Sequence, residues 1–283
     1  MTKLPETIEI QKAIQDYVTA KGISKNDLAK KTGVSAGTLS FIETGKWESV
    51  SPEMKLRIWN AVKPMNWQLV PTANYSAVIS TCEDARNRRR MLALVGSEGS
   101  GKTTALQSYY RNNRNVYYVS YDITMTSRHF LAVICREMGI QYVGSPNEMM
   151  SLIADELNSK PNALLIIDEA DKMNNKMFMY LHVLRNKTMS NAGILLAGVE
   201  YLRNSLEKAV LRKKQGMAEF YSRVMAWQTL QSPTKAEIKE VCIQNGLTNT
   251  DKVKALYGLT NYRLVANAIE NEKYLMNELQ TLN

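Results

Sequence analysis

Apolar side chains recur at helical spacing through the first 62 residues. In "PETIEIQKAIQDYVTAKG", Ile10, Ile14, Tyr17 and Val18 share a face and Gly22 ends the run. In "SKNDLAKKTGVSAGTLSFIETGK", Ser24 is placed to cap a helix burying Leu28 and Ala29, and Ser35 to cap a second burying Leu39 and Ile42. Gly33 between them suits a turn that needs positive φ. "MKLRIWNAV" adds another amphipathic helix. This pattern predicts an all-α helix-turn-helix domain over residues 1–62. Residues 63–75, "KPMNWQLVPTANY", hold two prolines and little helical period, and read as a linker.

From about residue 76 the period changes. Short apolar runs, "MLALVG" (91–96), "VYYVSY" (116–121), "ALLIID" (163–168), "GILLAG" (193–198) and "VMAWQTL" (224–230), alternate with helical patterns. Continuous apolar strands between helices predict a parallel sheet covered on both faces, over residues 76–230. The remainder, 231–283, is helical in pattern and reads as a small lid.

Composition narrows the partners. A formal net charge of +9 over 283 residues favours a polyanion, nucleic acid before membrane. Cys82, Cys135 and Cys242 fit neither a disulfide framework nor a zinc pattern, as expected for buried thiols in a reducing cytoplasm. No apolar run reaches the roughly 18 residues of a membrane span, and "MTKLPETIEIQ" has no apolar signal core. A cytoplasmic protein with no membrane partner is the expectation.

Two motifs carry the chemistry. "GSEGSGKTT", residues 96–104, follows an apolar run, opens a helical pattern, and fits G-x-x-x-x-G-K-[ST] from Gly96 to Thr103. Gly96, Gly99 and Gly101 let the backbone N–H groups of Ser97, Glu98, Ser100 and Thr104 approach phosphate oxygens. Lys102 is spaced to reach the β- and γ-phosphates, and the Thr103 hydroxyl suits Mg²⁺. "LLIIDEAD" then ends a predicted strand in Asp168, a second Mg²⁺ ligand, and Glu169, placed to polarise the attacking water. ATP with Mg²⁺ is the expected cofactor pair. Other helicase motifs are not apparent, so the letters "DEAD" carry no helicase assignment.

With its third strand carrying the acids, the chain resembles the AAA+ ATPases. That resemblance implies an α/β core with a five-stranded parallel sheet, a C-terminal helical lid, and arginines that read the nucleotide. Arg223 in "EFYSRVMAW" matches the finger that reaches a neighbour's γ-phosphate, with Arg203 and Arg212 as weaker matches. Arg263 in "YRLVANAI" matches the lid arginine. Val199 stands where relatives carry a polar sensor.

The order helix-turn-helix, linker, core and lid resembles the phage Mu B transposition family, through "GVSAGTLSFI", "GSEGSGKTTALQSYYRNNRNVYYV", "LLIIDEAD", "FYSRV" and "YRLVANAI". The resemblance implies ATP-driven head-to-tail assembly on duplex DNA with little sequence preference, recruitment of a cognate transposase, and disassembly on hydrolysis. It also implies a basic bore, for which Arg111, Arg114, Arg128, Lys176, Arg185 and Lys187 are candidates. The second helix of the turn motif offers Ser35, Ala36, Gly37, Thr38 and Ser40 but no Arg, Asn or Gln to read bases, while Lys25 and Lys31 could meet phosphates. Two other readings remain open: an ATP-switched transcription regulator and a helicase-loader-like ATPase. All three hydrolyse ATP, so the phosphate motifs do not separate them.

Overall fold

Capping organises the first four helices. In the computed structural model, which describes residues 5–65 and 67–281, these are α1 (Thr7–Lys21), α2 (Lys25–Thr32), α3 (Ala36–Glu43) and α4 (Pro52–Val62). Ser24 and Asp27 form a reciprocal capping box at α2, and the Thr38 N–H donates to the Ser35 hydroxyl at α3. Gly33 turns between them at φ 68°, in the left-handed region. Ile10, Ile14, Leu28, Leu39, Ile42 and Ile58 close a common core. Residues 1–4, 282 and 283 of the expected domains, and Asn66 of the expected linker, lie outside the described residues.

The central unit is a parallel sheet. α5 (Ala73–Asn87), capped by Thr72, begins within the stretch read as linker. It leads into β1 (Met91–Val95), α6 (Lys102–Asn112), β2 (Val116–Ser120), α7 (Ser127–Glu137) and α8 (Pro146–Ser159). Next come β3 (Ala163–Asp168), α9 (Asn175–Thr188), β4 (Ala192–Gly198), α10 (Tyr201–Leu211), α11 (Met217–Arg223) and β5 (Val224–Thr229). All five predicted runs are strands, to within one residue at each end, in the order β2-β3-β4-β1-β5. The three inner strands are buried end to end because helices cover both faces, whereas β2 and β5 at the edges keep exposed positions. One face packs on α5 and α6 through Val78, Cys82, Leu106 and Tyr109; the other meets the α7–α11 side through Phe130, Ile153, Leu181 and Phe220. Cys82, Cys135 and Cys242 are buried free thiols. Among the described residues no helix is long and apolar enough to cross a membrane.

The lid, α12 (Lys235–Gln244), α13 (Thr250–Ala255) and α14 (Tyr262–Thr281), has its own core of Ile238, Val241, Cys242, Val265 and Ile269. Trp67 and Val70 of the segment before α5 pack on that core. The Gln68 backbone is tied through both its N–H and its carbonyl to the Asn245 side chain, at 3.0 and 3.1 Å.

At the other end, the helix-turn-helix unit docks on the C-terminus of α6. Tyr17 and Tyr110 share a hydroxyl–hydroxyl bond of 2.7 Å. The Lys21 ammonium donates to the carbonyls of Tyr110 and Asn113 at the end of α6, at 2.8 and 3.1 Å, and to that of Val116 at the start of β2, at 2.7 Å, so it caps carbonyls that the helix end leaves unpaired and ties them to the sheet. Lys31 pairs with Glu137 at 2.6 Å and also donates to the Tyr110 hydroxyl.

Candidate nucleotide site

The glycine loop leaves the end of β1 and turns into α6. Gly99 and Gly101 adopt φ 71° and 88°, conformations that side chains disfavour. Space is equally limiting: a Cβ at Gly99 would lie 2.7 Å from Asn261 Oδ1, and one at Gly96 would lie 2.9 Å from Leu230 Cβ. Lys102 opens α6 and folds back over the loop, donating to the Gly96 and Ser97 carbonyls at 2.7 and 2.9 Å and to Ser100 Oγ at 3.3 Å. Burial pushes its pKa down, opposed chiefly by the charge of Asp168.

Asp168 ends β3 only 2% exposed. Its Oδ2 accepts from Thr103 Oγ1 at 2.7 Å and from the Tyr118 hydroxyl at 2.8 Å, while its Oδ1 accepts from the Glu169 N–H at 2.9 Å. Glu169 stands at φ 60°, rare for a non-glycine residue and a form of strain that clusters at functional sites. Its carboxylate pairs with Lys172 at 2.5 Å. Asp171, which the sequence reading passed over, accepts from the Val199 N–H at 3.2 Å. A Cβ at Gly198 would lie 2.6 Å from Asp171 Oδ1, so the glycine makes that approach possible.

These parts line one cleft of about 830 Å³, a size suited to a small-molecule ligand. Glu98, Gly99, Ser100, Gly101, Lys102, Thr103, Thr104, Asp168, Glu169 and Arg263 form its phosphate end; Gly96 and Ser97, at the start of the loop, do not line it. Met65, Trp67, Leu69 and Val70, all from the expected linker, form an apolar wall with Tyr75, Val241 and Ala266. Their apolar content in "PMNWQLVP" is the signal that a plain linker reading misses. The lid reaches the loop directly, with the Tyr262 N–H donating to the Gly99 carbonyl at 2.8 Å and Arg263 pairing with Glu98 at 4.0 Å. Thr103 and Asp168 offer a hydroxyl and a carboxylate close together, a hard oxygen pair that suits Mg²⁺ sharing its sphere with water and phosphate. Among the described residues no group of three or more His, Cys, Asp or Glu side chains converges as a self-sufficient metal cage.

A sequence profile for AAA domains matches residues 85–206, and one for helix-turn-helix modules matches residues 14–54. The Mu-like prophage FluMu DNA transposition protein B of Haemophilus influenzae is 24% identical over 258 residues, covering 87% of this chain and 89% of that protein. The ATP-dependent target DNA activator B of Escherichia phage Mu is 22% identical over 242 residues, covering 82% of this chain and 76% of its own length. The chain is similar to the Mu B transposition proteins over most of its length. At the level of fold, the chain is similar to the ORC2 protein of Aeropyrum pernix, with a TM-score of 0.59 at 14% identity. That match covers 77% of this chain and 65% of the archaeal one.

The remaining residues expected from the resemblance are scattered. Arg223 ends α11 just before Val224, which pairs with Met91 at the start of β1, whereas the phosphate loop leaves from the far end of β1. With a rise of about 3.3 Å per residue, the length of β1 separates Arg223 from its own loop by roughly 13 Å along the strand. Arg203 is held by Glu207 at 3.0 Å and lies over the Trp227 ring. Val199 presents no side-chain polar group at the sensor position.

Several expected DNA contacts are corrected by the structure. Lys31 is bound within the domain interface described above, so its charge is not free for phosphate. Arg185 is 7% exposed and donates to the carbonyls of Ala192 and Arg89 at 2.9 and 2.7 Å, at the N-terminal end of the sheet. Thr38 is buried with its hydroxyl against Ser35 Oγ. Arg111 donates to the Lys63 carbonyl and lines the nucleotide cleft. Lys25, though exposed, pairs with Glu43. Ser35, Arg114, Arg128, Lys176 and Lys187 remain exposed.

Proposed function

We propose that this chain is an ATP-dependent DNA-binding transposition protein. It assembles head to tail on duplex DNA, presents that DNA to a cognate transposase, and is released by ATP hydrolysis. The phosphate end of the cleft receives the triphosphate on the loop N–H groups and the positive end of α6. Lys102 swings from the loop carbonyls to the β- and γ-phosphates. Thr103 and Asp168 would hold Mg²⁺, which would supply positive charge to offset that of the phosphates. Glu169 accepts a proton from the water that attacks the γ-phosphorus. Arg263 reaches the phosphates from the lid, and the apolar wall of Trp67 and Leu69 takes the nucleoside.

The observation that carries this reading is the position of Arg223 at the end of the sheet remote from its own phosphate loop. An arginine there is placed away from its own nucleotide and is free to serve a neighbour's, and such a heterologous contact would repeat into a ring or an open helix. ATP at the junction then governs assembly by mass action. The printed names of the phage Mu and Haemophilus relatives support the transposition setting.

The test is binding of the purified protein to random-sequence duplex DNA with ATP, ADP or no nucleotide, read by fluorescence anisotropy and electron microscopy. ATP-dependent filaments on any duplex are expected. Binding confined to one selected sequence would favour the transcription regulator, and binding confined to single strands the loader.

A further inference from the structure

With Lys31 and Arg185 occupied inside the protein, the chain's free positive charge gathers elsewhere. Lys208, Arg212 and Lys214 line a second cleft, of about 200 Å³, between the start of α9 and the end of α10. Lys213 lies in the same exposed run, and Lys176 adjoins Asn175 of the cleft wall. No carboxylate lines this cleft. Among the described residues none of the five cations has an ion-pair or hydrogen-bond partner, unlike Arg203, Lys172 and Lys252, which are paired with Glu207, Glu169 and Glu272. The negative end of α10 accounts for Lys208 and Arg212. It does not account for Lys176 on another helix, nor for Lys213, held at φ 52° in the turn beyond.

We infer that this cleft is a binding site for the phosphates of a DNA backbone. Unpaired like charges at close quarters repel one another, and a polyanion removes that repulsion while releasing its own counterions. The volume decides between sources of phosphate. The nucleotide cleft is about four times larger, so the second cleft has room for a phosphate and its sugar but not for a nucleoside triphosphate. Tyr201, 61% exposed at its edge, offers a flat apolar face and a hydroxyl to the sugar–phosphate chain. Contacts from lysine and arginine to a sugar–phosphate chain position DNA without reading its sequence. The inference rests on the proposed DNA-binding function and assigns the residues that perform it.

The experiment compares the full-length protein with the triple variant Lys208→Ala, Arg212→Ala, Lys214→Ala on a fluorescent random-sequence duplex with ATP and Mg²⁺ over a series of salt concentrations. A second triple variant, Lys12→Ala, Lys235→Ala, Lys239→Ala, removes equal charge from the helix-turn-helix unit and the lid. Each lost phosphate contact lowers the slope of log affinity against log salt by roughly 0.9, so the cleft variant should lose about 2 to 3 from the slope. It should also bind at least about tenfold more weakly at moderate salt. Its affinity for a fluorescent ATP analogue should match that of the unaltered protein. Equal slopes in the two triple variants would overturn the inference. So would an intact DNA slope with lost ATP-dependent self-association, because the cleft would then serve a neighbouring copy's phosphates. Failure of the unaltered protein to bind duplex in any nucleotide state would instead remove the functional reading beneath it.

Discussion

Asp168 receives three donors from three segments: Thr103 of the phosphate helix, Tyr118 of the adjacent strand, and the backbone of Glu169. Thr103 is expected as a metal ligand from the glycine-loop motif, but Tyr118 is legible only once β2 is seen beside β3. Tyr118 orients the carboxylate from behind, as partners of metal-binding groups do, and loss of such a partner typically costs about 10–100-fold in metal affinity. Tyr118→Phe should therefore raise the Mg²⁺ concentration needed for tight ATP-analogue binding by about tenfold, with metal-free nucleotide affinity unchanged. A titration of Mg²⁺ at fixed analogue measures this. Lys102→Ala removes a charge-assisted contact worth about 1.5–3 kcal/mol, so nucleotide affinity should fall about 10- to 100-fold in an equilibrium titration. Glu169→Gln should keep ATP but lower turnover by about 10²- to 10⁴-fold, checked by phosphate release in a single turnover. At this scale the sequence motifs carry the glycine loop, Lys102, Asp168 and Glu169 because each acts through its own local geometry. Asp171, Asn261 and Tyr118 act through partners far away in sequence, and no spacing announces them. Lys31 and Arg185 fail as DNA candidates for the same reason: a cation's freedom depends on what packs against it.

Among the elements, α6 connects the two functional ends of the chain. Its N-terminus forms the phosphate site, and its C-terminus is capped by Lys21 of α1. Burial, with Lys31 nearby, pushes the Lys21 pKa down to about 7, while Glu137 pulls the other way. An undocked lysine titrates near 10.4, so it binds the proton more tightly than the docked one does. Docking therefore releases a proton between these values. The docked state gains stability as pH rises from about 7 toward 10; a fall over the same range removes that gain, and below about 7 both states hold the proton and the dependence is flat. Thermal melts between about pH 6 and 9 should show this gain in the unaltered protein and a flatter profile in Lys21→Met. Strand positions were legible because continuous apolar runs have one comfortable place, inside a covered sheet. The segment at 63–72 was not, because prolines break its period while its apolar side chains are used by the lid and the nucleotide cleft.

For the whole molecule, the proposed function together with the separation of Arg223 from its own phosphate loop would make turnover a property of pairs. Arg223→Ala should bind ATP normally yet lose most of its turnover, about 10³-fold for an arginine finger. Mixing it with Lys102→Ala should restore part of the rate, since one partner brings the nucleotide and the other the finger. A rate in the mixture no higher than the sum of the separate proteins would place the arginine outside the reaction. Cooperative dependence of turnover on protein concentration is the accompanying signature.

The docking of the helix-turn-helix unit on the far end of α6 has one more consequence. Eleven residues make a rod about 16 Å long, stiff along its axis because every turn is hydrogen-bonded to the next. A displacement at the phosphate end is transmitted along such a rod with little loss. Whatever ATP does to the grip of the N-terminal unit on its partner, that partner must do to the grip on ATP, by the same factor. DNA held by this unit would then set how long the nucleotide stays bound, and measuring ATP release with and without DNA would read the mechanical linkage in reverse, its sign included.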